Sequence, residues 1–437
     1  MATSRDPGTL GVYGFRNRAD WSYNGLATVN SKSITDLAIW DQVAREGKKA
    51  HVIGVPPNFP PRKTSGCSIG CFLTPDTGSN AYVRPEKLAG EIRHWLGEDY
   101  RVDVRGFRTE NKDWLKDEIY SMTRQHFKVI RNVMQAGEWD YLQFVEIGLD
   151  RVHHGFWKYQ DATHRQHVPG NTCQHVVRDY YRYLDSEIGT LLEMLDNETA
   201  VLVLSDHGAQ RLDGGFCVNE WLIEQGLLVL NKYPEKPTPM LELDVNWDRT
   251  VAWSEGGYYA RVFLNVKDRE PHGVVKPDDY ERMRDDLKAR FEATVDDRGT
   301  RMATRVFKPQ EIYRQVRNLA PDLIVHFDNL YWRSVGRVGY RTIHVQENDT
   351  GPDDCNHAQH GAFTLVAPGC KAQGEMENVH LLDLAPTLLE LGGYDPLPDM
   401  QGKSILSRPG SDTREKGGSS TSEEETIRQR LSGLGYV

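Results

Sequence analysis

Three short stretches of the sequence set carboxylates and imidazoles beside apolar runs. In VEIGLDRVHHGFW, Asp150 and His154 stand four residues apart. A helix beginning there puts both side chains on one face. His153 competes with His154 for that role. In VLVLSDHGAQ, Asp206 and His207 follow an apolar run directly, and a strand end that curls into a loop lets both reach one ion. The plainer alternative has Ser205 and Asp206 capping a following helix. In NHAQHGAFTLVAPG, His360 precedes Gly361, where glycine permits a sharp turn that presents the imidazole. His357, three residues earlier, is its rival. Any one of these patterns is an ordinary loop or cap feature. Together they bring five oxygen and nitrogen donors to the strands of one inferred sheet, enough to begin two sites for Zn²⁺ or a similar divalent ion. Two such ions about 4 Å apart clamp the attacking and leaving oxygens of a phosphoryl transfer.

The elements that must position these residues follow from periodicity. Apolar runs ending in Gly, Pro or Asp at 50–56, 141–148, 199–208, 321–327 and 362–369 predict buried strands of a parallel sheet. Between them, ITDLAIWDQVAREGK, DWLKDEIYSMTRQHFKVIRNVM and NVHLLDLAPTLLELGG predict helices. The alternation implies an α/β fold with a doubly wound, mostly parallel sheet between helices, whose ligands sit beyond the carboxyl ends of the strands. Residues 1–208 are expected to form the first part of this core, 209–355 an inserted cap with some core elements, and 356–406 the last part of the core. WSEGGYYARVFLNV in the cap alternates like a strand on an antiparallel or edge element. Residues 407–437 are expected to be a flexible tail with a short terminal helix.

The 437 residues are 38% hydrophobic with a formal net charge of −10, spread without a basic stripe. A nucleic-acid polymer is therefore an unsuitable partner. Six scattered cysteines suit reduced thiols, and Cys67 and Cys71 lack the second pair of a zinc knuckle. No run of eighteen apolar residues suggests a membrane span, and the expected compartment is the cytoplasm, unless a leader precedes Met1. Tyr258, Tyr259, Arg261, Trp332 and Arg333 are either cap core or contacts to a base or phosphate. Oligomeric state has no signature in the sequence.

At the three clusters the sequence resembles the alkaline phosphatase superfamily, and within it the type I phosphodiesterase and nucleotide pyrophosphatase branch. LLDLAPTLLELGG followed by PDMQGKSIL resembles the last core helix and loop of that superfamily. The resemblance implies one divalent metal on Asp150, His154 and His360, and a second on Asp206 and His207 with a further Asp from the family's first strand. It implies zinc, or else manganese, and a small phosphorylated substrate such as a nucleotide. It also implies a Thr or Ser nucleophile on the helix after that strand. TSRDPGTLGV resembles the end of that helix, with Thr3, Pro7, Gly11 and Val12 in register. By this register the nucleophile and the first strand precede Met1, as a start codon assigned too late would produce. Asn17 is the expected extra donor to a phosphoryl oxygen, with turn formation the competing role. The sulfatase C-x-P-x-R pattern is absent. A catalytically inactive relative that binds a phosphorylated ligand or a protein, and a phosphomonoesterase or mutase of the same superfamily, are the alternatives.

Overall fold

In the computed structural model, residues 1–347, 349–370 and 374–406 are described. The tail expected over 407–437 lies outside them. Helix α1 (Ile39–Arg45) begins where the Asp41 carboxylate accepts from the Ala38 N–H at 2.9 Å, and the chain turns out of it at Gly47, φ 74°. The core strands that follow are β1 (Ala50–Ile53), β2 (Ser68–Ile69) and β3 (Val83–Arg84). Helix α2 (Lys112–Gln135) is capped by Asn111, whose side chain accepts from the Trp114 N–H at 3.3 Å. It buries Leu115, Ile119, Met122, Ile130 and Val133 along one stripe. Next come β4 (Tyr141–Phe144), α3 (Gly148–Gln160), α4 (Val176–Leu192), β5 (Val201–Leu204) and β6 (Gly208–Arg211).

Strand β1 lies parallel to both β2 and β4, and β3 closes the sheet antiparallel, in the order β3-β2-β1-β4. Helices cover both faces. Alternation along β1 sends Ile53 into a core with Phe127, Ile130 and Leu191, and Ala50 into a second core with Ile39, Val43 and Leu389. The chain is thus α/β, as expected.

Two expectations for residues 209–355 differ in detail. WSEGGYYARVFLNV is not one alternating strand but a hairpin. After β7 (Gly214–Cys217) come its arms, β8 (Ala252–Glu255) and β9 (Ala260–Leu264), buried at every residue. Further on, β10 (Arg305–Phe307) and β11 (Leu323–His326) join them in an antiparallel sheet ordered β8-β9-β11-β10. The run at 321–327, expected in the parallel sheet, therefore lies here, where a strand buried on both faces has the same apolar signature. The last strands are β12 (Trp332–Val335), β13 (His344–Val345), β14 (Cys355–Ala358) and β15 (Phe363–Val366), before helix α5 (Leu384–Leu391). Strand β14 pairs with β6, and β15 with β5, both antiparallel.

Strands β4 and β5, among the most apolar runs of the chain, are only half-buried, with Val203 43% exposed. Both line one cavity of about 1930 Å³, which opens at its far end onto Asp150, Asp206, His207 and His357.

Candidate active site

Helix α3 carries Asp150 in its first turn and His154 one turn later, so the i, i+4 spacing does bring them together: Oδ1 of Asp150 lies 3.4 Å from Nε2 of His154. The third member of the group is His357, from β14. Its Nε2 lies 3.3 Å from Asp150 Oδ1 and 3.3 Å from His154 Nε2. The three side chains could hold one metal ion, with their ligand atoms all within 4.8 Å of one another. His360 is exposed and is not part of this group. The antiparallel register sets the two histidines apart. His357 pairs opposite Ala209 inside the strand, whereas His360 falls past the last ladder pair, Ala358↔Gly208. His153 is also outside the group, its Nε2 3.2 Å from the Tyr181 hydroxyl, and burial pushes it down to about 4.

Two of the donors, His154 and Asp150, are held from behind. The Nδ1–H of His154 donates to Asp353 Oδ1 at 2.6 Å, which turns Nε2 toward Asp150 and His357. Asp353 in turn accepts from Arg108 and Arg333, at 3.1 and 3.3 Å. Burial works to raise the Asp353 carboxyl, but His154 and the two guanidiniums outweigh it and hold it at about 2. Burial likewise works against the charged form of His154, yet Asp353 and Asp150 keep it well above its ordinary value. Asp150 is opposed by burial too. Hydrogen bonds from His154 and His357 and the charge of Arg151 hold it well below the carboxylate range. Arg151 joins Asp150 at 2.7 Å to Asp103, which it grips through two bonds of 2.7 Å.

Asp206 and His207 leave β5 at the edge of the same group. The His207 ring stacks on His357 with centroids 3.7 Å apart, and Asp206 Oδ1 stands 3.6 Å from His207 Nε2. Tyr258 reaches in from the turn between β8 and β9, its hydroxyl 3.3 Å from His154 Nε2 and its ring 4.0 Å from that of His357. The Arg333 guanidinium lies 5.6 Å over that ring. Asn17 is engaged within its own loop, its Oδ1 accepting from the Tyr13 N–H and its Nδ2 donating to the Gly14 carbonyl, both at 2.7 Å. Sequence reasoning missed Asp353, Asp103 and Arg108. The adjacent carboxylates of GPDDCNH, just before His357, were the available signal for the first.

The sequence profile of the type I phosphodiesterase / nucleotide pyrophosphatase family matches residues 1–362. The chain belongs to this family. It is thereby a member of the nucleotide pyrophosphatase/phosphodiesterase branch of the alkaline phosphatase superfamily. No curated protein sequence matches it. Solved structures similar to this family member include murine ectonucleotide pyrophosphatase / phosphodiesterase 5 in an inactive form in complex with AMP. That match has 15% identity and a TM-score of 0.45, and covers 91% of this chain and 82% of the other. The human protein of the same name matches with 14% identity and a TM-score of 0.46, over 93% of this chain and 84% of the other.

Proposed function

We propose that the chain is built to hydrolyse phosphodiester or nucleotide pyrophosphate bonds of a small phosphorylated substrate, with two divalent cations, zinc or manganese. One observation carries this reading beyond family membership. The ligand atoms of Asp150, His154 and His357 are mutually 3.3, 3.3 and 3.4 Å apart. A tetrahedral ion with bonds of about 2.1 Å needs its ligands about 3.4 Å apart, so the three donors suit a zinc-sized ion. Asp206 and His207 offer two donors toward a second ion beside them. Cations bound there supply a Lewis acid for a phosphoryl oxygen and lower the pKa of bound water.

The chain's own residues do the positioning. Asp353 fixes the His154 tautomer, the Arg151–Asp103 pair steadies Asp150, and Tyr258 with Arg333 walls the site from the cap side. The family resemblance implies a Thr or Ser as the attacking hydroxyl. Ser4 is not a substitute, since its hydroxyl donates to the Leu382 carbonyl at 2.6 Å and accepts from the Gly402 N–H at 2.9 Å.

Equilibrium dialysis with zinc and hydrolysis of a nitrophenyl nucleotide ester test this together. The 437-residue chain is expected to bind zinc with weak or absent turnover, no Thr or Ser among the described residues being assigned as its nucleophile. His357→Ala is expected to weaken zinc binding at least about tenfold, and His360→Ala to leave it intact. Robust turnover by this chain, or zinc binding indifferent to His357→Ala, overturns the assignment.

A further inference from the structure

Of Tyr258, Tyr259, Arg261, Trp332 and Arg333, four are committed to the fold. The Tyr259 hydroxyl donates to the Tyr13 carbonyl at 2.7 Å, and Arg261 donates to the Arg16 carbonyl. Trp332 is buried in one core with Phe216 and Phe327, and Arg333 donates to Asp353. Tyr258 is different. It is half-buried and lines the cavity, and among the described residues its hydroxyl bonds only to Nε2 of His154, at 3.3 Å.

That bond and a metal ion exclude each other. Nδ1 of His154 is engaged by Asp353, so Nε2 is the atom left to serve as ligand. A cation on Nε2 displaces its proton or takes its lone pair, and either way the Tyr258 hydroxyl loses its partner. The hydroxyl is then a donor at the edge of the site with no acceptor among the described residues. The cation also changes the charge. Asp150 supplies one negative charge and two neutral imidazoles supply none, so a divalent ion there keeps an excess of one positive charge. An anionic oxygen is what it attracts.

The tip that carries the hydroxyl is held on both sides. Tyr258 stands in the turn between β8 and β9, two strands buried at every residue. Just before it, Gly257 exchanges backbone hydrogen bonds with Ser334 of β12, at 2.9 and 3.0 Å. Gly256 packs so closely on Gly336 that a methyl on either would meet the backbone of the other. The Tyr258 ring lies 4.0 Å from the ring of His357, with the Arg333 guanidinium 5.6 Å over it. A donor fixed in this way needs little reorganisation to meet a charge beside it.

We propose that the Tyr258 hydroxyl is a substrate-binding donor: with a cation on Asp150, His154 and His357, it gives its hydrogen bond to the phosphoryl oxygen that shares that cation. This rests on the metal reading above and extends it to a residue outside the ligand set. A fourth ligand of the ion would stand equally near all three donor atoms, whereas the hydroxyl is bonded to His154 alone. Its place is therefore beside the incoming oxygen, not instead of it.

The test reads binding and needs no turnover. The 437-residue chain is loaded with zinc, freed of excess metal and titrated with inorganic phosphate by calorimetry. Tyr258→Phe keeps the ring and removes only the hydroxyl. It is expected to bind zinc as tightly as the parent, and phosphate at least about tenfold more weakly, as the loss of a hydrogen bond to a charged oxygen requires. Equal phosphate affinity in the two zinc-loaded chains overturns the proposal, and so does a zinc-loaded parent that takes up no phosphate. Zinc affinity that falls with the hydroxyl also overturns it, because Tyr258 would then be a ligand or a prop of the metal site. Zinc binding by the parent is measured first. Its absence removes the metal reading and this proposal with it, whereas its presence leaves the phosphate titration to judge Tyr258 alone.

If Tyr258→Phe does not fold, replacement of Tyr258 by ortho-fluorotyrosine decides. The fluorine makes the hydroxyl a stronger donor in nearly the same shape. Tighter phosphate binding at neutral pH, with zinc affinity unchanged, is expected; phosphate binding that is unchanged or weaker overturns the proposal.

Discussion

Adjacent carboxylates at 353 and 354 have opposite fates because of what faces each one. Asp353 is surrounded by His154, Arg108 and Arg333 and is held at about 2. Asp354 is pushed up to about 6 by burial, although Lys158, 3.3 Å away, and Lys112 pull it down. Its Oδ2 is buried without a hydrogen-bond partner. A carboxyl raised in the fold prefers its neutral form there. The native state is therefore unpenalised below the ordinary carboxylate pKa of about 4 and loses stability as pH rises from there through about 6. Asp354→Asn presents a neutral amide at every pH. Urea denaturation is expected to find it more stable than the parent by up to about 3 kcal/mol at pH 8, with the difference gone at pH 4. A variant weaker than the parent at pH 8 would show instead that the Lys158 pairing outweighs desolvation. At this scale the sequence made Asp150 and His154 legible, since an i, i+4 spacing on a helix needs no tertiary knowledge. It left His357 and His360 unresolved, because the choice depends on where β14 meets β6. Asp353 was hidden because a carboxylate that orients a ligand from behind has no spacing rule of its own.

Helix α3 has to start at one exact place for its two donors to serve one ion, and the residues just before it arrange this. The Gly148 N–H donates to Glu146 Oε1 at 2.7 Å, and Glu146 Oε2 meets His126 Nδ1 at 2.7 Å. The Thr123 and Tyr180 hydroxyls close the cluster, 2.6 Å apart. This polar knot, under the amino end of the helix, is built from α2, α3 and α4 together. A methyl on Gly148 would collide with the Tyr180 hydroxyl and with Glu146 and Thr123. Gly148→Ala is expected to destabilise the protein by about 1–3 kcal/mol, and to weaken zinc binding as well, since Asp150 and His154 shift with the helix. Thermal unfolding and zinc titration check the two effects separately. Full zinc affinity in a destabilised variant would show that His154 is positioned by Asp353 alone. The apolar run at 141–148 revealed a strand here, and the structure ends it at Phe144. The remaining residues are spent on the knot, which a hydrophobicity pattern does not distinguish from the end of a strand.

Over the whole molecule, the α/β alternation and the apolar runs were readable. What stands beside β4 and β5 was not, because an apolar run says that a strand is buried without saying beside what. Residue 203 turns this into a measurement. Val203 is 43% exposed and lines the cavity, so in the 437-residue chain a lysine there meets water, and its charge blunts an open strand edge. Val203→Lys is expected to change the stability of that chain by no more than about 0.5 kcal/mol, and to reduce its aggregation as followed by light scattering. A loss of several kcal/mol, about 3 or more, in urea unfolding would mean instead that residue 203 is enclosed, since an unpaired buried ammonium is strongly unfavourable.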